Sequence, residues 1–97
     1  MSASEDRALI ERFLEMMQAE MGAAANTVAA YGTDLRLASE FLGGGLGGAE
    51  RPELERLGAE WQPLARATVA RKSAALRRFY AFLADEGLRR DDPSAAL

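Results

Sequence analysis

The residues of this chain best able to do chemistry are cations gathered on one stretch, Arg66 to Asp92, RATVARKSAALRRFYAFLADEGLRRDD. Read as a helix, with each residue a turn of about 100° from Val69, this stretch places Val69, Leu76, Tyr80 and Leu83 in one narrow sector. Phe79 lies at the edge of that apolar stripe. Arg71 and Arg78 fall almost diametrically opposite, with Ala67, Ala74 and Ala75 beside them. Cations separated by small side chains can come close to a phosphate backbone or enter a major groove, because nothing bulky holds the guanidinium groups away. An ordinary solvated helix carries the same kind of face, so periodicity alone leaves both readings open.

Other chemistries are easier to exclude. The chain has no histidine and no cysteine. It therefore has no histidine general base, no histidine or thiolate metal ligand and no disulfide scaffold. Tyr31 and Tyr80 lie on apolar stripes and read as core residues, not nucleophiles. Asp91 and Asp92 are adjacent and read as linker. The run GGGLGG, Gly43 to Gly48, has neither the following G-K-[ST] nor the preceding strand of a phosphate loop, and is expected to be a flexible connector. No cofactor, no metal and no small-molecule ligand are expected, and an autonomous enzyme is the weakest reading.

Ninety-seven residues, 48% of them hydrophobic and 28% charged, suit one small soluble domain. The net charge of −3 is unevenly spread. Residues 1–62 hold five arginines against eleven carboxylates; residues 63–97 hold seven cations against four carboxylates. At physiological salt the Debye length is about 8 Å, so a local basic face can act despite acidic surroundings. The apolar runs are far short of a membrane span and no signal-peptide pattern opens the chain. A cytoplasmic location and no membrane partner are expected.

Four amphipathic segments must position the cations. Ser2 to Met21 is the first, with capping-box spacing between Ser2 and Glu5 and with Glu5 and Asp6 at the favourable end of the helix dipole. Ile10, Phe13, Leu14, Met17 and Met21 form its stripe, widened by Leu9 and Met16, which could instead meet a neighbouring subunit. Gly22 is a natural stop. Asn26 or Thr27 caps the second helix, whose stripe is Val28, Tyr31, Leu35, Ala38 and Leu42, with Phe41 adding bulk. Pro52 opens a short third helix that buries Leu54, Leu57 and Trp61 and ends at Pro63. Thr68 stands as a cap near the start of the fourth, which stops at Gly87. No strand pattern is present, so the fold class is all-α, a compact four-helix bundle.

Two stretches carry a family likeness. ARKSAALRRFYAFLADEGLRRDDP resembles the last core helix and exit linker of the DNA-binding N-terminal domain of tyrosine recombinases, especially the bacterial Xer type. That family reads approximately A-R-K-L-S-A-L-R-x-F-Y-x-F-L, then E-G, then D-[ND]-P. Ala70, Arg71, Lys72, Leu76, Arg77, Phe79, Tyr80, Phe82 and Leu83 match, as do Glu86, Gly87, Asp92 and Pro93. GAAANTVAAYGTDL resembles the family's G-L-S-E-N-T-L-x-A-Y-x-x-D-L through Gly22, Asn26, Thr27, Ala30, Tyr31, Asp34 and Leu35. The chain departs from the family at Ala24 and Ala74, where serines would stand.

The resemblance implies a SAM-like, or core-binding, four-helix domain over residues 1–90. Residues 91–97 would then start a linker to a catalytic domain. It implies that the starts of the second and fourth helices approach the major groove of double-stranded DNA, that strand cutting belongs to the other domain, and that further recombinase subunits assemble on the DNA. The residues singled out for DNA contact are Arg71 first, then Thr68, Lys72 and Arg78, with Arg66 on a phosphate and Asn26 and Thr27 at the second helix start. The Lys72 stem could instead cover the core, and Arg77 is expected to be spent on an internal ion pair. The alternative reading is a helical protein-interaction module without DNA binding, supported by the acidic first half.

Overall fold

The computed structural model describes residues 2–97. Four helices make the domain: α1 (Ala3–Ala19), α2 (Ala25–Phe41), α3 (Arg51–Glu60) and α4 (Arg66–Asp85), with 3-10 turns at Leu46–Gly48 and Pro93–Ala96. No strand occurs among the described residues. The all-α, four-helix expectation holds.

The helices form where apolar spacing and terminal signals agree. Ser2 caps α1, accepting from the Glu5 N–H at 3.2 Å. Ile10, Phe13 and Met17 turn inward. Leu9 and Met16 are half-buried and pack against the same core. Met21 is not part of the stripe: α1 ends at Ala19, and the side chain beyond it is 60% exposed. Phe13 meets Phe79 and Phe82 edge-on, with centroids 5.7 and 5.8 Å apart, and this aromatic contact joins the first helix to the last. Leu54, Leu57 and Trp61 of the third segment are buried as expected.

Gly43 to Gly48 is ordered rather than a flexible connector. Gly43, Gly44 and Gly45 all have positive φ, a conformation that side chains rarely adopt. A Cβ on Gly44 would sit 2.9 Å from the Ala3 nitrogen, so the loop packs directly on the start of α1. Leu46, wholly buried, follows as a plug. Its N–H donates to Asp6 Oδ2 at 2.9 Å, and its carbonyl accepts from the Tyr80 hydroxyl at 2.8 Å. Asp6 lies in the first turn of α1, as expected, but does not face solvent. It is wholly buried and also accepts from Ser39 Oγ and the Gly47 N–H. Burial pushes the Tyr80 phenol pKa well above its ordinary value.

The segment after Gly87 folds back. Arg89 donates to the Gly47 carbonyl at 3.1 Å and lies 5.3 Å over the Tyr80 ring. Pro93 and Ser94 are buried, and the turn they open packs on α3 and α4.

Candidate nucleic-acid interface

The outward side of α4 differs from the sequence expectation by a rotation. A stripe drawn through Val69, Leu76, Tyr80 and Leu83 omits Phe82, which is buried, and treats Ala75 as an outer residue, although it is 0% exposed. Ser73 and Lys72 are buried too. Including them turns the inward axis by roughly 50° toward Phe79 and Phe82. The exposed arc then carries Arg66, Ala67, Ala70, Arg77, Arg78, Ala81, Ala84 and Asp85, with Ala74 half-buried among them and Arg71 at its margin.

Arg71 is not a free cation. Its Nε donates to Asp34 Oδ2 at 2.8 Å and its Nη2 to Asp34 Oδ1 at 2.9 Å. This is the two-pronged geometry in which a guanidinium matches a carboxylate. Donation of these hydrogen bonds to Asp34, and then the carboxylate's charge, push the Arg71 pKa above the ordinary guanidinium value. The side chain remains 44% exposed, whereas that of Asp34 is 2% exposed. Nη1 makes no hydrogen bond among the described residues. Lys72 departs further from expectation. Its ammonium reaches the same Asp34 Oδ1 at 3.3 Å with the side chain only 10% exposed. Lys72 therefore faces the bundle interior, and its stem does cover the core.

The other named residues are dispersed. Thr68 is half-buried and, with Arg71 and Lys72, lines an open cleft of about 600 Å³ against Asp34, Leu37 and Phe41 of α2. Thr68 is not a cap, since Ala65 holds that position with no side-chain hydrogen bond. Glu40 and Glu60 line the same cleft, so it is not a basic pocket. Arg78 lies away from it, in a hollow with Met16, Met17 and Met21. Arg66 is exposed beside Trp61 and Leu64 at the start of α4, on the same side of the helix as Arg77.

Neither Asn26 nor Thr27 caps α2. Ala24 occupies the cap with no side-chain bond, which puts Asn26 and Thr27 inside the first turn. Asn26 is exposed and Thr27 half-buried. Both α2 and α4 thus begin on alanine with bare first-turn N–H groups, the arrangement that leaves a helix start open to an anion.

Two contributors went unrecognised in the sequence. Arg77, expected to be tied up internally, is exposed and makes no ion pair among the described residues, and the same holds for Arg66 and Arg78. In the sequence Asp34 stands only as a motif match. Its spacing of three from Tyr31 and four from Ala38 places a carboxylate on the inward face, and that was the available signal.

A family model described as "Phage integrase, N-terminal SAM-like domain" matches residues 10–87. The chain is 63% identical over 90 residues to the tyrosine recombinase XerC of Erythrobacter litoralis, covering 93% of this chain and 29% of that protein. It is 45% identical over 102 residues to the tyrosine recombinase XerD of Agrobacterium fabrum, covering 98% of this chain and 30% of the relative. It is also 45% identical over 98 residues to the XerD of Caulobacter vibrioides, covering 94% and 32%. The chain thus spans about 30% of the length of the curated relatives it matches. No solved structure gives a significant match.

Proposed function

We propose that this chain, which belongs to the phage integrase N-terminal SAM-like family, is the part of a site-specific tyrosine recombinase that holds duplex DNA at the recombination site. Cutting and rejoining of strands would belong to a separate catalytic domain, reached through the segment that follows residue 90. Other recombinase subunits on the same DNA are the expected protein partners. No described helix is long and apolar enough to cross a membrane.

The observation that carries this reading is the outer face of α4. Arg66, Arg77 and Arg78 are exposed there without an ion pair among the described residues, Ala67, Ala70 and Ala81 put only small side chains between them, and Asp85 at the far end is the one carboxylate exposed on that arc among the described residues. A cationic helix face of this kind suits a polyanion better than it suits an apolar partner. Arg71 contributes from the margin of this face, and Arg66 from its start. Thr68, Asn26 and Thr27 contribute through the bare helix starts. Lys72 contributes only indirectly, through Asp34.

Counterion release supplies the test. Three phosphate contacts would make log K fall against log salt with a slope of about −3, at about −0.9 per contact. Duplex titrations at several salt concentrations measure that slope directly. A flat salt response, or no binding to any duplex, would overturn the reading.

A protein-docking reading has one specific observation of its own. Leu37, Phe41 and Leu64 are exposed around the α2–α4 cleft, which Glu40 and Glu60 flank. Association through that cleft would be nearly independent of salt.

A further inference from the structure

We propose that Asp34 is a positioning residue for DNA contact, one that fixes the Arg71 guanidinium so that its free edge meets a backbone phosphate oxygen. The proposal rests on the DNA-holding function above and deepens it.

Three features support it. The first is the buried charge itself. Asp34 is 3% exposed on α2, and an ionised carboxylate so deep is costly unless paired. An apolar residue would pack this position without that cost.

The second feature is the stoichiometry. One carboxylate is matched by two cations, Arg71 and Lys72, so one positive charge is left over. Lys72 compensates Asp34 from the interior with a side chain 10% exposed, and the surplus charge is presented at Arg71, 44% exposed.

The third feature is geometric. Asp34 engages Nε and Nη2 of Arg71, fixing the guanidinium plane and leaving Nη1 with both hydrogens unused. An arginine held this way has already lost its rotamer freedom, so contact with phosphate costs less ordering than it would for a free side chain. The fork requires arginine, since a lysine ammonium is a point charge that cannot bridge both oxygens in one plane.

Simple electrostatics and positioning predict opposite signs, which makes the proposal testable. Removing a negative charge near DNA should tighten binding if charge alone matters. If Asp34 positions Arg71, Asp34→Asn weakens binding by roughly tenfold and makes the salt slope shallower by about 0.9, one phosphate contact. Arg71→Lys, which keeps the charge and loses the fork, weakens binding as much as Arg71→Ala does.

The experiment titrates the full chain and these three variants with two duplexes of equal length and different sequence, across a salt series. Thermal melting is recorded for each protein. Equal losses on both duplexes, with the shallower slope, support the phosphate contact. Asp34→Asn binding as tightly as the unaltered chain, or more tightly, overturns the proposal. If Asp34→Asn does not fold, Arg71→Lys decides, and unaltered affinity in that variant overturns it. If the unaltered chain binds neither duplex, the DNA-holding function fails and this inference with it. If only the variants fail to differ, the function stands and the role of Asp34 is lost.

Discussion

Asp6 and Asp34 are both buried, at 0% and 3% exposure, but their surroundings differ in kind. Asp6 accepts from neutral donors only: the Ser39 hydroxyl and the N–H groups of Leu46 and Gly47. Those donors are all internal, and the carboxylate ties the glycine loop to α1. Asp34 accepts from the cations of Arg71 and Lys72, one of them half-exposed at the edge of α4. A carboxylate surrounded by neutral dipoles organises a fold. One surrounded by an excess of cations delivers oriented charge to a surface. Depth of burial does not separate the two roles, but the nature of the partners does.

This contrast predicts that changes at Asp6 act on stability and changes at Asp34 act on binding. The largest effect is expected for Asp6→Ala. It strands the Leu46 and Gly47 N–H groups and the Ser39 hydroxyl in the interior, at about 3–5 kcal/mol in all, with each orphaned group costing about 1–3 kcal/mol. Chemical denaturation measures the loss. The salt slope of DNA binding, taken on the folded fraction, should be unchanged; a changed slope would show that Asp6 also shapes the DNA contact.

Gly44→Ala comes next, at about 2–3 kcal/mol. Its φ of +91° and the 2.9 Å approach of a Cβ to the Ala3 nitrogen both oppose a side chain. A melting curve reads this as a shift of roughly 10 °C or more for a domain of this size. An unshifted curve would show that the loop moves independently of α1.

Tyr80→Phe removes the bond to the Leu46 carbonyl, at about 1 kcal/mol. It also changes the alkaline limb of stability. Burial raises the folded-state pKa of Tyr80 above its unfolded value. Its contribution is therefore fully present below the unfolded phenol value of about 10 and is lost as pH rises beyond it. Unfolding measured at pH 7 and pH 11 should show a steeper loss in the unaltered chain than in Tyr80→Phe.

The smallest stability effect, within about 0.5 kcal/mol, is expected for Arg77→Ala, whose side chain is exposed and unpaired among the described residues. Its signature lies in binding, where the salt slope should become shallower by about 0.9. An unaffected slope would confine the DNA contact to Arg66, Arg78 and the Asp34–Arg71 pair.

The sequence makes the helices legible because each carries a long stripe with a stop signal. Gly22 and Gly87 end α1 and α4 in the left-handed conformation expected of a helix-terminating glycine. Orientation about the helix axis is harder to read. In α4 the sector through Val69 gave that half-buried residue full weight and left out Phe82, whose contact with Phe13 depends on how α1 packs. Arg71 and Lys72 were seen as cations, but their shared partner lies 37 and 38 residues away, a separation that no local pattern carries. The glycine loop departs from its expected flexibility for the same reason. Glycine content signals backbone freedom, and what removes that freedom is a carboxylate 40 residues upstream of Leu46.

Leu46 brings these long separations together. Its N–H is held by α1 and its carbonyl by α4, across 40 and 34 residues. Exchange of that amide with deuterated solvent requires α1 and α4 to part from the loop, which amounts to opening the whole bundle. An amide set in a run of glycines would then rank among the slowest-exchanging in the molecule, its lifetime reporting the global unfolding equilibrium rather than local motion.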